Sequence, residues 1–187
     1  MEFGAGPAPD GTHRRTLSNL RAHRKVAVEG MSKVGRSMDI VRSVTVTQPL
    51  DVVFAYLSDF TTTSEWDPGT VRTERVSGEG GLGSRYHNVS KFLGRETELD
   101  YLVVEHVPGE RFALRGENST VVAHDTMTFM RSHTAQGQGT TVTYHASFEF
   151  KGVAKFVAPL LGPALKKLGD DAEAGMRDAL GRLGAEG

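Results

Sequence analysis

Asp125 has the clearest potential for acid-base chemistry in this sequence. It lies in an extended segment in which every second residue is apolar, so its carboxyl is expected to face the protein interior. The apolar residues that share its parity are Val121, Ala123, Met127 and Phe129. A buried carboxylate is costly unless it is paired, and burial raises its pKa. Arg42 falls on the apolar parity of an earlier segment and is therefore a candidate partner.

Three roles are open for Asp125. It is a candidate general acid or base, with Arg42 as a second candidate catalytic residue, if the interior brings its pKa near neutrality. It is also compatible with a structural role as a hydrogen-bonding group. A bulge or slip in the strand would instead place the carboxyl at the rim of the domain.

Other catalytic and metal chemistries have little support. The histidines are spread over several predicted strands, with no HExxH or His-x-His spacing, so we expect no metal site. The chain has no cysteine, which excludes thiolate nucleophiles and Cys-ligated zinc. The glycine-rich run at residues 78–83 joins two predicted strands and lacks a following Lys-Ser/Thr pair, so it is not a phosphate loop. We therefore predict no cofactor.

Composition indicates one ordinary domain behind a basic tail. Residues 1–37 carry seven Lys and Arg against three acids, whereas the net charge of the 187-residue chain is −1. This tail opens with Gly and Pro and has no sustained apolar periodicity, so we predict that it is disordered and that the domain spans residues 38–187. A basic arm for nucleic acid or anionic membranes is one alternative on charge alone, although we expect no specific nucleic-acid partner. A translation start at Met31 or Met38 is another.

The chain has no apolar run of the roughly 18 residues needed to span a membrane, nor the apolar centre of a secretory signal. A hydrophobic content of 38% is sufficient for a core. We expect a cytoplasmic location. The pattern makes no prediction about the oligomeric state.

The C-terminal stretch, residues 152–183, is the element around which the others are arranged. Its apolar residues recur at steps of three and four, with charged residues on the other side, which predicts a long amphipathic helix. Pro163 suits the first position of a helical segment of about 21 residues, or roughly 31 Å. Small residues at 172, 175 and 179 lie on its apolar face.

Upstream, the pattern predicts a strand at residues 39–47, two short helices between residues 49 and 63, and six antiparallel strands separated by glycine-containing turns. The strand at residues 97–103 shows the alternation of a sheet that is wet on one side. One strand, two short helices, six strands and one long helix make an α+β architecture in which a curved sheet covers a helix.

Three sequence motifs, together with this order of elements, resemble those of a known superfamily. They are PLDVVFAYLSDF at residues 49–60, WDPG at residues 66–69 and GTTVTY at residues 139–144. The chain from residue 38 to about residue 184 resembles the START-like, plant-allergen-like and polyketide cyclase/dehydrase superfamily. The resemblance implies a helix-grip fold, in which a seven-stranded curved antiparallel sheet wraps a long C-terminal helix and two short helices follow strand 1. These motifs are packing and turn residues, so they indicate the fold more strongly than an activity.

The resemblance also implies a deep cavity between sheet and helix for a hydrophobic or amphipathic ligand such as a lipid, polyketide or aromatic metabolite. On the predicted inward faces, apolar residues with a few polar ones match such a pocket, although each apolar residue could equally be core. The candidate pocket residues are Tyr86, Asn88, Ser90, Tyr101, Phe112, Leu114, Met127, Phe129, Tyr144, Phe148, Leu168, Ala172, Gly175, Met176 and Ala179. We expect the cavity where the small helix residues withdraw volume, along residues 168–183.

Three functions follow from these expectations. The first hypothesis is a module that binds or transports a hydrophobic small molecule. The alternative is a cyclase, aromatase or dehydrase that folds its substrate in the same pocket, since catalysis by positioning needs few specialised residues. The second alternative is an interaction module whose cavity is closed.

Overall fold

The computed structural model describes residues 37–183, which form one antiparallel sheet and four helices. The strands are β1 Ser37–Val46, β2 Thr70–Ser77, β3 Arg85–Phe92, β4 Arg95–Val107, β5 Arg111–Glu117, β6 Val121–Thr134 and β7 Gly137–Phe150. The helices are α1 Leu50–Ser58, α2 Thr63–Trp66, α3 Ala154–Val157 and α4 Gly162–Arg182. Short 3₁₀ turns, Phe60–Thr62 and Ala158–Leu161, lead into α2 and α4. The predicted basic tail lies outside the described residues, apart from Ser37.

The sheet confirms the fold class predicted from the sequence. Its strand order is β1-β7-β6-β5-β4-β3-β2, and every neighbouring pair is antiparallel. Consecutive strands from β3 to β7 are joined by turns of two or three residues, a longer loop at residues 78–84 joins β2 to β3, and β1 closes the far edge against β7. This is the helix-grip arrangement of seven strands around a C-terminal helix, with short helices after strand 1.

Alternation along the strands separates a core face from a wet face. On β4, Leu99, Tyr101 and Val103 are buried, while Glu98 and Asp100 are exposed. Successive side chains of a strand point to opposite faces, so one apolar residue in two suffices to cover the helix side of the sheet.

Helix α4 has the predicted length of 21 residues. Its buried residues recur at steps of three and four and pack over β1 and α2. They are Leu165, Gly169, Ala172, Met176, Ala179 and Leu180. α3 and the second 3₁₀ turn lead into the N-terminus of α4.

A turn held by Asp67 connects α2 to β2. One oxygen of its carboxyl accepts a hydrogen bond from the Gly69 amide at 2.9 Å, and the other accepts one from the Thr70 hydroxyl at 2.9 Å. Trp66, directly before it, is buried in the main core. The tight turn brings the Asp67 carboxyl to the inner side of the sheet.

Within residues 37–183, no helix is both long and apolar enough to cross a membrane. In the same part of the chain, no three His, Asp or Glu side chains are grouped closely enough to hold a metal ion.

Candidate ligand cavity

A cavity of about 490 Å³ lies between the inner face of the sheet and the N-terminal half of α4. Leu99 and Phe148 line it from the sheet, and Leu161, Leu165 and Leu168 line it from the helix side. Its volume falls within the range of small-molecule sites, about 300 to 1,000 Å³. The walls are largely apolar, with a cluster of acidic and uncharged polar groups at one end and two basic side chains at the other.

That end, which we call the floor, consists of Asp67, Asn88, Tyr101, Asp125 and Tyr144. Asp125 is only 5% exposed and accepts a hydrogen bond from the Tyr144 hydroxyl at 2.8 Å. The Tyr101 hydroxyl makes a second, looser polar contact with the same carboxyl. Strand β6 pairs with β7 without a shift in register at this point, so Asp125 points inward and not to a rim. The floor therefore presents two carboxyls, two phenols and one amide to a molecule in the cavity.

Burial governs the proton affinities of the floor. It raises the pKa of Asp125 to about 6, although hydrogen bonds from Tyr144 and Tyr101 oppose this by stabilising the carboxylate. Burial also raises the pKa of Asp67, against the hydrogen bonds from Gly69 and Thr70. The pKa values of Tyr101 and Tyr144 are raised well above the ordinary value, first by burial and then by the neighbouring Asp125 charge. Asp125 is thus poised to exchange a proton near neutral pH, whereas both phenols stay protonated.

A small second cavity, which we call the annex, adjoins the main cavity at the floor and has a volume of about 40 Å³. All five floor residues line it, together with Trp66 and the core residues Leu114 and Met127. The Trp66 indole Nε1 is buried and has no hydrogen-bond partner among the described residues. A buried donor without an acceptor is costly, and a volume of this size holds one oxygen-sized group.

The opposite end, which we call the mouth, is formed by the β3–β4 turn, the β5–β6 turn and α3. Lys91 and Arg95, both exposed, flank Leu93 on the first of these turns. Leu93 has a φ of 51° and is largely exposed in this two-residue turn, a backbone conformation that favours Gly or Asn. Thr120 and Val157 complete the mouth from the other two segments.

Three apolar side chains beside the mouth are largely exposed to solvent. Val153 is 84%, Phe156 74% and Leu160 79% exposed. They lie in α3 or within three residues of it, and their neighbours Ala154, Val157 and Leu161 line the cavity itself. The apolar lining therefore continues outward onto the surface.

The structure brings some of the predicted pocket residues together at this cavity. Phe148 and Leu168 lie on its walls, and Ser90 lies beside the floor. Asn88, Tyr101 and Tyr144 lie in the floor with Asp125, and two further predicted residues, Leu114 and Met127, line only the annex.

The other predicted pocket residues are packed in the core. These are Tyr86, Phe112, Phe129, Ala172, Met176 and Ala179. Gly175 does not open space as expected, because a Cβ at that position would overlap the Trp66 carbonyl oxygen. The helix half at residues 172–183 lies close to its neighbours, and the cavity opens at residues 161–168 instead.

Arg42 is not the partner of Asp125, contrary to the expectation from its parity. Its guanidinium bonds Asp170 on α4, with Nη2 2.6 Å and Nε 3.0 Å from one carboxylate oxygen, and lies 3.7 Å from Glu173. Because β1 is an edge strand crossed by α4, the long side chain reaches the charged outer side of the helix. Arg42 therefore ties helix to sheet and lies outside the cavity lining.

Sequence reasoning missed several residues of the cavity. Leu161 and Leu165 belong to the apolar stripe of the C-terminal stretch, but periodicity does not indicate which part of a stripe faces a void. Asp67 belongs to the WDPG motif, which predicts a turn and gives no sign that the carboxyl reaches the inner face. Other wall residues that were missed include Phe92, Thr97, Leu99, Val121 and Phe150.

Comparison with known families assigns the domain. A family model described as polyketide cyclase/dehydrase and lipid transport matches residues 37–186. The chain belongs to this family. Membership supports a role in hydrophobic-ligand binding or cyclisation. Comparison with curated proteins gave no match.

Solved structures agree on the fold. The Zhui aromatase/cyclase from Streptomyces sp. R1128 is similar with a TM-score of 0.66 at 15% identity, over 81% of this chain and 99% of that one. TTHA0849 from Thermus thermophilus has a TM-score of 0.66 at 15% identity, over 80% and 100%. A START superfamily protein from Mycobacterium smegmatis has a TM-score of 0.58 at 15% identity, over 78% and 95%. At such identities the likeness concerns the fold alone.

Proposed function

We propose that this protein binds a hydrophobic or amphipathic small molecule inside the cavity and acts as a binding or transport module. The observation that carries the proposal is an open volume of about 490 Å³ with apolar walls and hydrogen-bonding groups gathered at one end. Ligand sites commonly combine such walls with a few placed polar groups that orient the ligand. The open cavity supports this proposal over the interaction-module alternative, which assumed a closed interior.

The apolar walls are sufficient for useful affinity. A ligand that removes about 300 Å² of apolar surface from water gains roughly 7.5 kcal/mol at about 25 cal/mol per Å². Lost translational and rotational freedom offsets part of this gain. Hydrogen bonds at the floor then orient the ligand within the cavity.

The test is to fill the cavity and measure binding of an uncharged fluorescent probe, N-phenyl-1-naphthylamine. Thr97 lines the cavity from the inner face of β4, so Thr97→Phe places a ring where the probe would lie. We expect wild type to bind the probe and Thr97→Phe to bind it at least ~10-fold more weakly, a loss of about 1.4 kcal/mol.

Thr126→Phe is the matched control, because Thr126 is on the opposite parity of β6 from Asp125 and Met127 and points away from the cavity. It should leave probe affinity unchanged. Absence of probe binding by folded wild type, or equal weakening by both variants, would contradict the proposal.

The second candidate, a cyclase or dehydrase, is favoured by the Asp125 floor. With its pKa at about 6, Asp125 can remove a proton from the carbon between two carbonyls of a β-ketone chain at neutral pH. The resulting carbanion can attack another carbonyl of the same chain to form a C–C bond. The Tyr144 hydroxyl, 2.8 Å from Asp125, can protonate the new alkoxide and recover the proton from Asp125.

This candidate is tested with a poly-β-ketoacyl thioester. If the protein is a cyclase, wild type accelerates ring formation over the spontaneous rate, and Asp125→Asn lowers the acceleration by about 10²-fold or more. Affinity for N-phenyl-1-naphthylamine serves as the control and should change little. A wild type that binds the thioester without accelerating ring formation is a carrier.

A further inference from the structure

The charged groups of the cavity are sorted along its length. The floor holds two carboxyls, Asp67 and Asp125. The cationic side chains that line the cavity in the described part of the chain are Lys91 and Arg95, both at the mouth. A molecule inside the cavity therefore meets acidic groups at its inner end and basic groups at its outer end.

This arrangement disfavours an anion at the floor. A ligand carboxylate placed there would lie against Asp125, itself largely ionised at neutral pH, with no Lys or Arg of the lining close enough to neutralise it. Burying an unpaired anion is costly, and a second like charge at short range adds to that cost. The same anion is tolerated at the mouth, near Lys91 and Arg95 and in contact with water.

The annex indicates what the floor accepts instead. Trp66 Nε1 supplies a buried donor without a partner, and Asp125 supplies an acceptor on the wall of the same 40 Å³ volume. A hydroxyl oxygen can accept from the indole and donate to the carboxylate at once, which neither a carboxylate nor a methyl group can do. The annex has room for one such group.

From the acidic floor, the unpartnered indole and the basic mouth, we propose that the cavity selects ligands whose inner end is an uncharged hydroxyl, phenolic or alcoholic, held between Trp66 and Asp125. Ligands whose inner end is a carboxylate are excluded. Any anionic group of the ligand lies at the mouth beside Lys91 and Arg95. This specificity rests on the proposed binding function and narrows it to one ligand class.

Three naphthalene probes of similar size separate the two proposals. 2-Naphthol, 2-naphthoate and 2-methylnaphthalene are titrated against the full chain at pH 7.5, with affinity read by calorimetry or by competition with N-phenyl-1-naphthylamine. We expect 2-naphthol to bind at least ~10-fold more tightly than 2-naphthoate and several-fold more tightly than 2-methylnaphthalene, the scale of one or two buried hydrogen bonds. Binding of 2-methylnaphthalene tests whether the cavity takes an apolar ligand at all. The affinity ratios between the three probes test the selectivity of the floor.

Two substitutions assign the selectivity. Asp125→Asn should raise the affinity for 2-naphthoate relative to that for 2-methylnaphthalene by ~10-fold, because it removes the repelling charge and nearly keeps the side-chain shape. Trp66→Phe should lower the preference for 2-naphthol over 2-methylnaphthalene by several-fold, because it removes the indole donor. Asp100→Asn is the control, since that side chain is 79% exposed on the outer face, and it should change none of the ratios.

The outcomes are distinct. Binding of 2-naphthoate as tightly as 2-naphthol by wild type overturns the inference while leaving the binding function intact. Wild-type selectivity that survives Asp125→Asn also overturns it, because the selectivity would then arise elsewhere. If none of the three probes binds to folded wild type, the proposed function and the inference fail together.

Discussion

At the scale of single residues, Asp125 is a group whose charge opposes folding. Its pKa in the folded protein is about 6, above the ordinary 3.8, and the first cause is burial. The folded state therefore binds this proton more tightly than the unfolded chain does. The Asp125 contribution to stability is fully present below about pH 4 and is lost as the pH rises through 6.

We predict that Asp125→Asn stabilises the protein more at high pH than at low pH. Asn keeps the shape and an acceptor oxygen for Tyr144 but carries no charge. The difference in unfolding free energy, variant minus wild type, should increase by about 2 kcal/mol between pH 4.5 and pH 7.5. Urea unfolding of both proteins at pH 4.5, 6.0 and 7.5 measures it. A difference that does not change with pH would show that the carboxyl is hydrated in the folded state.

Sequence reasoning at this scale left the direction of Asp125 open between the interior and a rim, and it did not find the partner of the carboxyl. Alternation along β6 is a local property, so parity alone places the carboxyl on the inner face. The partner depends on how β6 and β7 align, and Tyr144 lies opposite Met127, one step along the same face from Asp125. Such a diagonal neighbour follows only from the register, which local periodicity does not encode. The prediction that Arg42 pairs with Asp125 was wrong because the contacts of Arg42 depend on where α4 crosses β1, which local periodicity does not encode either.

At the scale of elements, the close approach of α4 to the turn after α2 depends on Gly175. A Cβ at this position would overlap the Trp66 carbonyl oxygen, which is backbone and cannot rotate away. Small residues on a helix face are compatible with either a void beside the helix or a close contact with a neighbouring element. The sequence alone does not distinguish these two arrangements. Here the helix lies close enough to fill the space.

We predict that Gly175→Ala destabilises the protein even though Ala favours helices over Gly by about 1 kcal/mol. The helix must move away from the turn, and the overpacking cost should leave a net loss of about 1 to 3 kcal/mol. Thermal or urea unfolding measures this loss.

Gly181→Ala provides the comparison within the same helix. A Cβ at Gly181 meets no atom within 4 Å, so this variant should be as stable as wild type or up to about 1 kcal/mol more stable. Equal stabilisation by both substitutions would mean that α4 does not approach the turn as closely as described.

At the scale of the whole molecule, the fold was predictable because its signals are local and mutually consistent. Alternating strands, glycine turns and one long amphipathic stretch leave few architectures in which every apolar face is covered. The position of the cavity was not predictable in this way. It depends on how α4 lies along the sheet, and that is decided by contacts such as Gly169 against Ile40 and Gly175 against Trp66, distant in sequence.

The apolar surface beside the mouth has a consequence for ligand length. In a sealed pocket, affinity rises with each added methylene until the volume is full and then falls. Here a chain that outgrows the cavity continues across Val157 toward Phe156 and Leu160, which are otherwise exposed to water. Each further methylene covered there can contribute up to about 0.8 kcal/mol. In a homologous series of ligands, affinity should therefore not fall sharply beyond a particular chain length. The protein should select its ligands by the group at the inner end and bind tails of different lengths.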